Sequence, residues 1–132
     1  MNRPPSDGKA RRQAERRGRR AETLAALALT LKGYRILARN VRLPIGEIDL
    51  IAGRGKLLVF VEVKARGDLD AACHAVSPGA WRRIAATAQA WAGRYDPGST
   101  RGWRFDLMAV LPGRYGLPRL HHMRDAWRPD FA

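Results

Sequence analysis

Asp49 lies in the run Gly46-Glu47-Ile48-Asp49-Leu50-Ile51, and Glu62 and Lys64 lie in Val59-Phe60-Val61-Glu62-Val63-Lys64. Acids and a lysine alternate there with aliphatic residues. On a β-strand, successive side chains point to opposite faces, so Glu62 and Lys64 project from the same side. Two carboxylates from adjacent strands are what a divalent cation needs, and oxygen donors suit Mg²⁺ or Mn²⁺. Such an ion polarises a phosphate and acidifies a water, and a lysine beside it stabilises developing negative charge. The chemistry in view is phosphodiester hydrolysis. The same alternation also describes an ordinary solvated hairpin whose Glu and Lys make weak pairs, so spacing alone leaves both readings open.

Two strands, 47–52 and 57–64, must position these residues, joined by a tight turn at Gly53-Arg54-Gly55-Lys56. With Arg54 and Gly55 as the turn residues, Asp49 falls opposite Phe60, and Glu62 is its diagonal neighbour on one face. Diagonal partners sit roughly 7–8 Å apart, within reach of a shared ion. Ile48, Leu50, Val61 and Val63 then share the other face and bury it, which ties the register to the core.

A helix is predicted over 19–32, where Ala21, Leu24, Ala25, Ala28 and Leu31 recur at helical spacing. A strand follows at 34–42. Residues 66–77 read as a loop, and Pro78 opens a second helix running to Trp91. Further strands are expected at 104–111 and near 119–124. The order α-β-β-β-α-β predicts an α/β fold, a mixed sheet flanked by helices. Residues 1–17, rich in Arg with Pro4, Pro5 and Gly8, read as a disordered basic tail on a single domain covering 18–132.

The chain has 132 residues, 45% of them hydrophobic, and a formal charge of +13. That balance favours a polyanionic partner, nucleic acid first and an anionic membrane surface second. A single cysteine, Cys73, excludes an internal disulfide and a cysteine zinc site, and fits a reducing cytoplasm. The apolar run Leu24–Leu31 is too short and too closely flanked by Glu22 and Lys32 for a signal peptide or a membrane span.

The two runs together resemble the signature of the YraN family, small bacterial proteins similar to Holliday-junction resolvases and other PD-(D/E)XK nucleases. The likeness runs from Arg19 to Val110. It includes Glu22, the stretch Gly33-Tyr34-Arg35-Ile36-Leu37-Ala38-Arg39-Asn40-Val41-Arg42, Ala65-Arg66 and the late Arg104-Phe105-Asp106. The resemblance implies a restriction-endonuclease-like fold, with Asp49, Glu62 and the helical Glu22 as metal ligands and Lys64 as the catalytic lysine. It further implies a Mg²⁺ or Mn²⁺ cofactor, branched or structured DNA as substrate, and a homodimer. The family's lysine at the start of the second helix is absent; Pro78-Gly79-Ala80-Trp81-Arg82-Arg83 stands there.

The basic tail and Arg39, Arg42, Arg66, Arg82 and Arg83 are the expected phosphate contacts, positioning a nucleic acid without reading its sequence. Glu47 reads as a rim charge or an outer-shell acid of the site, the rim favoured, and Asp106 as a fold-supporting acid paired with an arginine. Cys73-His74 and His121-His122 lack the partners of a metal signature, and Trp81 and Trp91 read as packing on the second helix. The leading expectation is a Mg²⁺-dependent DNA endonuclease. The alternative is a non-catalytic nucleic-acid-binding protein on the same scaffold, and the charge does not separate DNA from RNA.

Overall fold

The computed structural model describes residues 6–129. The elements are α1 (Ser6–Leu31), β1 (Arg35–Leu43), β2 (Gly46–Arg54), β3 (Leu57–Ala65), α2 (Leu69–His74), α3 (Pro78–Tyr95), β4 (Gly102–Leu111) and β5 (Arg119–Trp127). A 3₁₀ turn at Arg114–Gly116 precedes β5. The strands form one sheet in the order β1-β2-β3-β4-β5, antiparallel except for the parallel pair β3–β4. That parallel pair requires a crossover, which α2 and α3 supply. The α/β expectation of a mixed sheet flanked by helices holds.

Alternation along β3 sorts the core into two layers. Val59, Val61 and Val63 pack with Ala21, Ala25 and Leu29 of α1. Leu58 and Phe60 pack with Trp81, Ile84, Ala88 and Trp91 of α3 on the other side. Both tryptophans are therefore core. The second helix starts where Ser77 caps it, its Oγ accepting from the Ala80 N–H at 3.1 Å, with Pro78 in the first turn. Gly46 opens β2 against α3, where an added Cβ would meet the Thr87 hydroxyl at 2.9 Å and the Arg83 carbonyl at 3.3 Å. The strand carrying Asp49 is thus seated on α3 by a residue without a side chain.

Several boundaries differ from the sequence reading. The basic segment does not stand apart as a tail: α1 begins at Ser6, because no proline follows Pro5 until Pro44 and most of residues 9–31 are good helix formers. Residues 1–5 of that tail lie outside the described residues. The loop 66–77 contains the six-residue α2, whose N-cap Asp68 accepts from the Ala71 N–H at 2.8 Å. The second helix continues beyond Trp91 to Tyr95, and β5 continues to Trp127.

The β2–β3 register is shifted by two residues from the expected one. Arg54 pairs with Leu57, so Gly55 and Lys56 form the turn. Gly55 takes φ +58, the left-handed value that glycine accepts at little cost and that Arg54 avoids. Nor do the four aliphatics share one face. Leu50, Val61 and Val63 pack toward α1, whereas Ile48 packs with Ile51 and Phe60 toward α3. The alternation of β2 breaks at Asp49, across the sheet from Asn40, which itself has φ +50.

Candidate active site

The β2–β3 ladder ends at Leu50↔Val61. Continued by one pair, it sets Asp49 directly opposite Glu62, closer than the diagonal relation expected. Instead of continuing, β2 leaves β3, and Asp49 fills the opening. Its carboxylate accepts the Val63 N–H at 2.8 Å, replacing the strand that has departed. By alternation Glu62 and Lys64 belong to the α3 side of the sheet, while α1 covers the other. The opening is what lets an acid from α1 reach the same place.

Glu22 stands one residue after Ala21, the first buried residue of α1. It neighbours Asp49, and Asp49 neighbours Glu62, each pair close enough for one acid to act on the titration of the other. Burial raises the Glu22 carboxyl above the ordinary carboxylate range, and the Asp49 charge adds to the rise; Asn40 and Arg39 oppose it. Burial likewise pushes Glu62 up to about 9, with the Asp49 hydrogen bond and charge adding to it and Lys64 opposing. Lys64 Nζ lies 4.0 Å from the Glu62 carboxylate, their side chains 28% and 12% exposed. At neutral pH without a cation Glu62 is protonated, which is how three neighbouring carboxyls coexist.

The three acids meet pairwise, with Asp49 between the other two. Among the described residues, no three His, Cys, Asp or Glu side chains converge to enclose a metal ion as they stand. As a donor set they suit a hard divalent cation, since all are carboxylate oxygens and no soft ligand intervenes.

The five expected phosphate contacts divide. Arg39 is brought to the site: it donates to Thr23 Oγ1 at 3.1 Å, one residue from Glu22, and its charge acts on that acid. Arg66 follows β3 directly and is exposed, its guanidinium turned back onto the Ala65 carbonyl at 2.8 Å. Arg42 is on the β1–β2 hairpin, 3.9 Å from Glu47, both exposed; Glu47 is a rim charge. Arg82 and Arg83 are exposed on α3, across the sheet from Glu22.

Asn40, which acts on Glu22 against the rise that burial causes, has little signal in the sequence. Its one signal is its type, since asparagine tolerates the positive φ that few other side chains accept. A second polar group lies nearby in β4 and β5. Asp106 is fully buried and accepts from Arg104 at 2.7 and 2.8 Å, from His122 Nε2 at 2.7 Å and from the Asp125 N–H at 2.9 Å. Burial alone would raise its carboxyl, but these donors together hold it below the usual range. Arg104 also donates to the Tyr34 hydroxyl at 2.7 Å, linking β4 to the turn between α1 and β1. Asp106 is thus the arginine-paired structural acid expected, and His122 is part of its shell. Cys73 and His74 lie in α2, with the Cys73 thiol 3.3 Å from the Met123 sulfur and His74 against Asp70.

A family model described as Uncharacterised protein family UPF0102 matches residues 21–110. A UPF0102 protein of Parvibaculum lavamentivorans is 50% identical over 116 residues, covering 88% of this chain and 84% of the relative. Others from Chelativorans and Mesorhizobium japonicum are 54% and 55% identical over 105 residues, 80% of this chain and 85% and 84% of theirs. Among the described residues no helix is long and apolar enough to cross a membrane.

Proposed function

We propose that this chain, which belongs to the Uncharacterised protein family UPF0102, is a divalent-metal-dependent endonuclease acting on DNA. One observation carries the reading. Carboxyls from three separate elements, Glu22 of α1, Asp49 of β2 and Glu62 of β3, meet in an opening of the sheet, with Lys64 beside them. Crowding acids until two are pushed toward the neutral form costs the fold stability, and carboxyls perturbed in this way cluster at functional sites.

In this reading Asp49 and Glu62 would hold Mg²⁺ or Mn²⁺, and Glu22 would complete the set. The ion supplies Lewis-acid polarisation of the phosphate and acidification of a water. Glu62 would have to be deprotonated to serve as a ligand. Asp49 is fixed by the Val63 N–H, so its free lone pairs keep their aim. Lys64 neutralises charge developing on the phosphate oxygens, and Arg39 and Arg66 hold the flanking backbone. Branched or structured DNA is the substrate class we favour, and a pair of copies would address two strands.

The second reading, a non-catalytic nucleic-acid-binding protein, is favoured by the pairwise rather than convergent placement of the three acids. Incubation with branched, duplex and single-stranded DNA, and with RNA, in Mg²⁺ or Mn²⁺ separates the two. The endonuclease reading expects metal-dependent cleavage of DNA that Asp49→Ala abolishes while binding persists. Intact substrates under all of these conditions would leave the binding protein.

A further inference from the structure

The first half of α1 projects from the protein. Residues 8–20 are exposed without exception, and burial begins at Ala21. At 1.5 Å per residue that stretch is about 20 Å long. It carries seven Lys and Arg against one acid, Glu15. The charges are not spread evenly. At 3.6 residues per turn, Lys9, Arg12, Arg16, Arg19 and Arg20 fall within an arc of roughly 100° on the side away from the core-facing Ala21, Ala25 and Leu29. None of the five forms an ion pair among the described residues.

Such a stripe works against its own helix. Arg12–Arg16 and Arg16–Arg20 are like-charge pairs at i,i+4, each destabilising by about 0.2–0.5 kcal/mol. Positive charge in the first turns also opposes the helix dipole, and no packing compensates. A polyanion laid along the stripe would remove both penalties. An anionic membrane fits poorly, because residues 8–20 contain no large apolar side chain and an interfacial helix needs an apolar face to bury.

We propose that the projecting half of α1 is a phosphate-binding arm, in which Lys9, Arg12, Arg16, Arg19 and Arg20 line one side against a nucleic-acid duplex. The arm adds contacts that the arginines around the acid site do not make. Its charges point away from the core-facing side of α1, so it engages backbone clear of the bond at the acid site. The inference rests on nucleic acid being the partner and is independent of whether the protein cuts it.

The test is the salt dependence of binding to a DNA duplex, measured in EDTA with the Asp49→Ala chain so that cleavage plays no part. Five neutralised phosphates contribute about 0.9 each to the slope of log K against log salt. Replacing the five stripe residues with Gln should therefore lower the slope by about 4–5. Arg11→Gln with Arg17→Gln, off the stripe, should lower it by well under the value of about 2 that two bound phosphates would give. Wild-type helicity by circular dichroism should rise when duplex is added at low salt, and the stripe variant's should not. An unchanged slope in a stripe variant that keeps its near-ultraviolet spectrum overturns the proposal. So does binding of phosphatidylserine vesicles, but not duplex, that depends on the same five residues.

Discussion

Glu62→Gln should make the metal-free protein more stable at neutral pH. Glutamine keeps the shape of the protonated acid and can still donate to Asp49, but it cannot ionise. In the wild type the Glu62 carboxyl titrates at about 9 when folded, against an ordinary 4.5. The folded-state value is the raised one, so the protonated carboxyl stabilises the fold fully below about pH 4.5. That contribution is lost as pH rises toward 9, because the unfolded chain then releases a proton the folded chain retains. The slope is about 1.4 kcal/mol per pH unit, so by pH 7 the wild type has lost up to about 3 kcal/mol relative to the variant. With a side chain only 12% exposed, little of this is screened by solvent. Urea denaturation of both proteins in EDTA, from pH 4.5 to 8.5, reads the difference directly. The curves should coincide at the acid end and diverge steadily above it. Adding Mg²⁺ should recover stability in the wild type increasingly with pH, and much less in the variant. Curves parallel to within ~0.5 kcal/mol throughout would mean that Glu62 is not held protonated, and the crowding of the three acids would lose its physical basis.

Lys64→Ala should reduce DNA cleavage by about two to three orders of magnitude, the range typical of removing one stabilising group from a reacting centre. Mn²⁺ affinity measured by calorimetry should hardly change, since Lys64 is no ligand. Asp106→Ala leaves Arg104 and His122 without their shared acceptor and should cost about 3 kcal/mol or more in urea denaturation. Gly55→Ala forces a side chain into the left-handed turn at φ +58 and should cost about 1–2 kcal/mol, read as a lower thermal midpoint.

The β2–β3 hairpin was legible because aliphatics alternate with charges and a glycine pair marks the turn. Its register was not, because Gly53-Arg54-Gly55-Lys56 admits two turns and only φ at Gly55 separates them. The face shared by Ile48 and Leu50 failed for a related reason: alternation breaks at Asp49, where the strand leaves its partner, and a period-two pattern cannot show a break in itself. Glu22 had no local signal beyond a family resemblance, since only tertiary packing brings α1 to the opening. Asn40 was hidden inside an otherwise regular strand. The helix α2 is hard to see in sequence because six residues carry too little periodicity, although Asp68 is a capping signal. The projecting half of α1 resembles a tail in sequence because charge and proline in residues 1–17 mask its helix propensity.

An anomalous difference map from crystals soaked in Mn²⁺ tests most directly whether these carboxyls form a metal centre. It should show an ion bonded to Asp49 and Glu62, with Glu22 alongside and Lys64 unbound. Manganese absent from these carboxyls, at a concentration that supports DNA cleavage, would contradict the site.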